Sequence, residues 1–365
     1  MNHERFKSIF PIILNDALDY ARSFHASDEM LSWFEKSLTH NTTNGKHLRG
    51  LLIPNTLSHI LSRPLASSEF ISAAKLGWLL ELLQASVLMC DDIEDGDVTR
   101  RGKASWHAVP GVGLRAINDA AMLESTVFAL LKRYFRDLEC YVDLVEVFHE
   151  TVFRTGAGQM VDLISSLSGN GVGSGSGSGS EDVNGDVCSF AGEWGECVWE
   201  RIGEMKTAYY TVYAPVVLAM YLGRVATEKN LERVRSVALR LGVYYQVQDD
   251  FLDIFGEQEV FGKELGRDIR DGKCTWLIAG GWGRADEAQK RVLREWYGCG
   301  DGGGRAVEMV RGVFREVGME EAYAAYEEEM LRMMEEVIAD IEEGSSGLKK
   351  GMFTDIIHIM YKRRK

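Results

Sequence analysis

The stretch FISAAKLGWLLELLQASVLMCDDIED, residues 70–95, decides how this chain is read. Phe70 to Cys90 is almost wholly apolar and lacks the alternation of a half-buried strand. It therefore reads as a long helix buried on nearly every side. That helix runs into Asp91, Asp92, Glu94 and Asp95, with Asp97, Arg100 and Arg101 close behind. Asp91 and Asp95 are four apart and so share one helix face. The pattern recurs at YYQVQDDFLDIFG, residues 244–256, where Asp249, Asp250 and Asp253 close a second apolar run.

One pair of aspartates at this spacing is usually a solvated helix face. Here each cluster ends an apolar helix, so carboxylates crowd together where water is scarce, a costly arrangement if unpaired. Hard divalent cations with oxygen ligands relieve the conflict, and magnesium commonly arrives with substrate phosphates. The two clusters predict a polyphosphate held between two carboxylate walls by Mg²⁺.

Working outward, AINDAAMLESTVFALLKRYF, VDLVEVFHETVFRTGAGQMVDLISSL, MKTAYYTVYAPVVLAMYLG and EEAYAAYEEEMLRMMEEVIADIEE repeat the helical spacing. No run alternates, and proline is scarce, 5 in 365 residues, so an all-α fold without a sheet is expected. The Gly/Ser tract at 168–186 cannot bury enough surface to fold. Composition alone leaves it an interdomain linker or a disordered insertion; the insertion reading, in a single domain spanning 1–365, follows from the family resemblance given below, which implies site residues on both sides of it. The GDGGG run at 300–304 follows no strand and is not read as a phosphate cradle.

The formal charge of −14 argues against nucleic acid and anionic membrane surfaces as partners. A local cluster of cations, or bound metal, can still make one pocket anion-binding. The six cysteines are scattered without metal-ligand spacing and read as reduced thiols. MNHERFKSIFPIILNDALDY lacks the apolar core of a signal peptide, and no window is expected to be long and apolar enough to span a bilayer. A soluble, cytoplasmic protein without stable membrane insertion is the expectation.

Both aspartate motifs, in this order, resemble the DDxxD motifs of trans-isoprenyl diphosphate synthases, the polyprenyl synthetase family. DDIEDGDVTRRGKASWHAVPGVGLRAINDA, YYQVQDDFLDIFG, GRDIRDGKCTWL and the terminal YKRRK are most similar to the eukaryotic farnesyl diphosphate synthase subgroup. The resemblance runs from NGKHLRG, residues 44–50, to the end of the chain. It implies an isoprenoid synthase-type helical bundle around a deep central cavity, a homodimer, and prenyl diphosphates as substrates. The implied reaction joins an allylic diphosphate head-to-tail to isopentenyl diphosphate, giving farnesyl or geranylgeranyl diphosphate, with three Mg²⁺ ions per site.

By the same resemblance Asp91, Asp95 and Asp249 are metal ligands, supported by Asp92, Asp250 and Asp253. Arg100, Lys206 and Lys263 bind the allylic diphosphate, and Lys273 belongs to the same substrate-binding set. Lys46, Arg49, Gln84 and Arg101 bind isopentenyl diphosphate, which carries no metal in this family, and Arg363 and Arg364 of the tail close over it. Lys206, Thr207 and Gln246 stabilise the developing cation through oxygen dipoles, while Gln159 and Asp162 line the site. Pro215, within the helix that begins near Lys206, is expected to kink it and free carbonyl oxygens.

Ser86 and Val87 depart from the family pattern, which usually has two aromatic rings flooring the product pocket five and four positions before the first aspartate. A serine there leaves a shallower plug, about one and a half helical turns below the metal site, and admits a longer product. Asn44 replaces a usual glycine. The segment GKELGRDI has one extra residue and an added Arg267. The alternatives are a same-fold prenyltransferase acting on an aromatic acceptor, a terpene cyclase, and a catalytically silent partner subunit. The retained second anion set, the second DDxxD motif and the complete ligand set weigh against each in turn.

Overall fold

The computed structural model describes residues 3–166, 198–257, 265–299, 303–343 and 347–361. The Gly/Ser tract, Cys188, Cys197, Lys263, Arg363 and Arg364 lie outside the described residues. The other four cysteines are free thiols.

At the centre stands α5, Ser67–Glu94, 28 residues and about 42 Å long. Its first turn is fixed by the Glu69 carboxylate, which accepts the Ala66 N–H at 2.8 Å. Among the described residues α5 is the one helix long and apolar enough to cross a membrane, contrary to the expectation of none. Since 78% of its apolar window is buried inside the protein, that apolarity serves the core. Around it pack α1 (His3–Lys7), α2 (Phe10–Arg22), α3 (Asp28–Thr42), α4 (Leu48–Leu61), α6 (Arg115–Phe135) and α7 (Tyr141–Ser165). Where α4 crosses α5, Gly50 faces Gly77. A Cβ on Gly50 would stand 2.9 Å from the Gly77 carbonyl oxygen, so only glycine allows this approach.

After α5 comes a feature that corrects the sheet-free reading. Thr99–Arg100 pairs antiparallel with Lys103–Ala104, turning through Arg101 (φ 53°) and Gly102 (φ 75°). Positive φ at both turn residues is what a tight two-residue hairpin needs. Strands of two residues are too short to show alternation in the sequence.

Across the cavity, α8 (Val198–Ile202), a π-helical stretch Gly203–Tyr213 and α9 (Ala214–Leu222) form one continuous rod. The expected distortion at Pro215 lies upstream of it. Pro215 sits early in α9, inside the continuous rod, and the helix is widened over 203–213, the turns in which its missing N–H leaves a carbonyl without a donor. Wide turns of this kind concentrate at functional sites. Two glycines let neighbouring helices close on it. A Cβ on Gly158 of α7 would stand 2.6 Å from the Cα of Lys206, and one on Gly242 would overlap Ala208.

Gly242 belongs to α10, Glu228–Phe255, which carries the second aspartate cluster and is capped by Thr227, whose hydroxyl accepts the Asn230 N–H at 3.3 Å. Behind that cluster a smaller core of Ile254, Ile269, Leu277, Val310 and Phe314 joins α10 to the C-terminal helices. These are α11 (Arg267–Asp271), α12 (Trp276–Arg284), α13 (Glu287–Trp296), α14 (Gly303–Glu316) and the start of α15 (Met319–Ala339), whereas α16 (Lys350–Met360) packs into the main core through Met352 and Phe353. The result is the all-α bundle expected, with one hairpin.

Candidate active site

Five structural units bring polar side chains to one cavity of about 670 Å³. The end of α5 supplies Asp91 and Asp95, the end of α10 supplies Asp249, Asp250 and Asp253, and the π stretch supplies Lys206 and Thr207. The hairpin adds Arg100 and Arg101, and the turn before α4 adds Lys46, with Arg49 in its first turn. Gln84, Val87, Gln246 and Lys273 line it as well.

Between the acid walls the lysines form a net. The ammonium of Lys206 donates to Asp162 at 2.7 Å and lies 3.3 Å from Asp91. Lys273 donates to Asp95 at 3.0 Å and to the same Asp162 oxygen at 3.1 Å. Arg100 grips Asp91 at 2.9 Å and Asp92 through its Nε, and reaches Asp97 at 3.5 Å. Arg267 also donates to Asp97, and to Asp271 at 3.0 Å, tying α11 to the loop after α5.

Burial penalises these charges and the net opposes the penalty. Desolvation pushes Asp92 up to about 6 although Arg100 pulls it down. Burial, aided by Asp249, raises Asp250 to about 7 against hydrogen bonds from Gln246 and the Trp276 N–H. Burial works against the charge of Asp162 too, but Lys206 and Lys273 outweigh it and hold the carboxyl below its ordinary value. Burial lowers and Asp162 and Asp95 raise the Lys273 ammonium, which ends near 12.

Thr207, Gln246 and Asp250 make a directed chain. The Thr207 hydroxyl donates to Gln246 Oε1, and Gln246 Nε2 donates to Asp250 at 2.8 Å. The hydroxyl proton is thus used inside the wall, and the Thr207 oxygen keeps its lone pairs for whatever lies in the cavity.

Opposite, Arg49 is buried. It donates through Nε and Nη2 to the Thr211 hydroxyl at 3.2 and 2.9 Å, with its guanidinium 4.4 Å above the Tyr210 ring. Arg101 is bonded to the Asn44 carbonyl, and Lys103 donates to the Asn44 side chain at 2.9 Å, a bond the usual glycine could not accept.

Not every expected residue faces the cavity. Asp92 is turned to Arg100 and borders a small neighbouring niche instead. Ser86 is buried beside the cavity, its hydroxyl donating to the Leu83 carbonyl at 2.8 Å, while Val87 lies on the wall. Gln159 is half-buried and donates to Glu94 at 2.6 Å; Asp162, one turn on, is the α7 residue that reaches the lysines. Sequence reasoning gave no role to Asp97, Thr211 or Tyr210. Asp97 follows the first motif and could have been found there, whereas Thr211 and Tyr210 carry no local signal.

Among the described residues no three acids, histidines or cysteines converge as a ready-made metal site. The carboxylates nonetheless fit magnesium. They are hard oxygen donors presented from two facing helix ends, and magnesium usually takes one or two carboxylates plus substrate phosphates rather than an all-protein cage.

Two aspartate clusters and a net of cations line one deep hollow in an all-α bundle. The polyprenyl synthetase model matches residues 31–317, and the chain belongs to that family. It is 38% identical over 361 residues to the farnesyl pyrophosphate synthase of Schizosaccharomyces pombe, covering 99% of this chain and 98% of that one. It is 35% identical over 360 residues to the geranylgeranyl pyrophosphate synthase of the same organism, covering 99% and 96%. The structure of the farnesyl diphosphate synthase of T. brucei complexed with bisphosphonate BPH-722 superposes with a TM-score of 0.88 at 28% identity, covering both chains completely.

Proposed function

We propose that this prenyltransferase condenses an allylic diphosphate head-to-tail with isopentenyl diphosphate to give farnesyl or geranylgeranyl diphosphate. One observation carries the reading: a single cavity is lined both by the two aspartate clusters and by Lys46, Arg49 and Arg101. That arrangement suits two diphosphates, one bridged by metal and one bound by cations alone. It also sets aside an aromatic acceptor, which needs no second anion site, and the relatives do not favour a cyclase.

In the reaction the allylic C–O bond breaks and its electron pair leaves with diphosphate. The double bond of isopentenyl diphosphate attacks the resulting cation, and a proton is lost. Asp91, Asp95 and Asp249, with Asp92, Asp250 and Asp253 behind them, would hold Mg²⁺, three ions by the family resemblance, which supplies charge that draws the diphosphate away. Lys206 and Arg100 stand beside those carboxylates, placed to receive phosphate oxygens, with Lys263 assigned to the same task and Lys273 next to Asp95. The Thr207 oxygen and the Gln246 dipole face the developing cation, an environment organised before the reaction starts. Lys46, Arg49, Gln84 and Arg101 hold isopentenyl diphosphate, and Arg363 and Arg364 are assigned to its closure.

The protein acts as a cytoplasmic homodimer of a single domain. Supporting the dimer, Val142, Phe153, Met160 and Ile164 on α7 and Leu114 and Ile117 at the start of α6 leave large apolar side chains exposed, Phe153 by 76%. Val142, Phe153, Met160 and Ile164 share one face of α7 by their spacing, and an exposed apolar face is what an interface covers. Replacing Phe153 by glutamate should yield monomers in sedimentation equilibrium; an unchanged mass would move the interface elsewhere.

The test of the reaction is a product assay with Mg²⁺ and labelled isopentenyl diphosphate, offering dimethylallyl, geranyl and farnesyl diphosphates separately. Label in a C15 or C20 alcohol after dephosphorylation supports elongation. Allylic substrate consumed without incorporation of label overturns it.

A further inference from the structure

His47 lies between Lys46 and Arg49 and is buried, in the left-handed conformation at φ 48° and ψ 40°, immediately before α4. A histidine held there carries backbone strain unless its surroundings determine it. The surroundings do so through both ring nitrogens. Nε2 is 2.9 Å from the Thr42 carbonyl, which can only accept, so Nε2 carries the proton. In the neutral ring Nδ1 then offers a lone pair, and Nε2 of His3, 3.3 Å away, is placed to donate to it.

His3 is itself anchored. It opens α1, whose Phe6 is fully buried, stacks on Trp78 at 4.8 Å and gives its carbonyl to the Trp78 indole N–H at 3.0 Å. The short first helix is thereby fixed to the central helix α5, directly behind the turn that carries the two cations. Burial, then Lys7 and His47, holds the His3 imidazole below its ordinary value, consistent with a neutral donor.

We infer that His3 is a positioning residue for the anion end of the cavity: its ring N–H, donated to His47, holds the left-handed turn that aims Lys46 and Arg49. The inference rests on the proposed function insofar as those cations bind isopentenyl diphosphate. The turn itself is a matter of geometry and can be tested separately.

Two measurements are needed on full-length enzyme. In steady-state kinetics His3→Leu should raise the KM for isopentenyl diphosphate about fivefold, as for one lost hydrogen bond, with kcat and the allylic KM within about twofold. His3→Gln, whose amide can still donate, should restore it, and in a His47→Gly background His3→Leu should add nothing. Amide hydrogen exchange of the free enzyme should show residues 43–49 exchanging faster in His3→Leu than in wild type. An unchanged KM, or a rise shared by both substrates and not rescued by His3→Gln, overturns the positioning role. Unchanged exchange at 43–49 overturns it whatever the activity. Wild-type enzyme that never incorporates isopentenyl diphosphate overturns the proposed function instead, and leaves the exchange result to decide the turn.

Discussion

Gly158 of α7 lies against the backbone of Lys206, so close that a Cβ there would stand 2.6 Å from the lysine Cα. The contact joins a residue with no chemistry to the one whose ammonium lies between Asp91 and Asp162. Gly158→Ala must push the π stretch away, and a displacement of about 1 Å at a reacting site can cost on the order of 10²-fold in rate. The kcat should fall by that order while far-UV circular dichroism stays native. Gly283→Ala, in an exposed helical position with open space around it, should leave kcat alone and add about 0.5–1 kcal/mol of stability.

Asp162 neutralises two lysines with one oxygen. Its replacement by alanine leaves Lys206 and Lys273 facing each other with only Asp91 and Asp95 to share. A loss of about 2–3 kcal/mol in denaturant unfolding is expected, together with a severe fall in kcat. Asp162→Asn, which keeps an acceptor, should lie between.

Thr207→Val keeps the shape of the wall and removes its oxygen. If that oxygen faces the developing cation, kcat should drop about 10²-fold with both KM values little changed, and Thr207→Ser should recover most of the rate. Equal activity in the valine variant would remove Thr207 from the chemistry.

Product length should respond to Val87 more than to Ser86. Val87 lines the cavity, whereas the Ser86 hydroxyl is satisfied within its own helix. Val87→Phe should shorten the product, read by chromatography of dephosphorylated alcohols. Ser86→Ala should leave the distribution as in wild type, and Ser86→Phe, forced into a buried position, should cost about 1–3 kcal/mol of stability.

Chelation should abolish incorporation of isopentenyl diphosphate, and added Mg²⁺ should restore it. Unimpaired activity in excess chelator would refute the metal-bridged reading of the two aspartate clusters.

Much of this was legible without coordinates. The apolar run 70–90 followed by Asp91 and Asp95, and its echo at Asp249 and Asp253, are relations within one or two helical turns, where spacing alone sets the shared face. The hairpin at 99–104 escaped because two-residue strands leave no alternation, and the π stretch escaped because its turns share the apolar spacing of an ordinary helix, while the close approach of Gly158 and Gly242 to it is a tertiary relation.

What the amino-acid sequence determined by itself was the helical class and the two carboxylate clusters, since periodicity and spacing act locally, while the cations were assigned by family resemblance. Only tertiary structure could decide which cation meets which acid. Lys273 and Asp162 are 111 residues apart, Arg49 and Thr211 162, and His3 and His47 44. Contacts at such separations depend on how buried helices cross, which is settled by the volume of side chains at each crossing rather than by the spacing along any one of them.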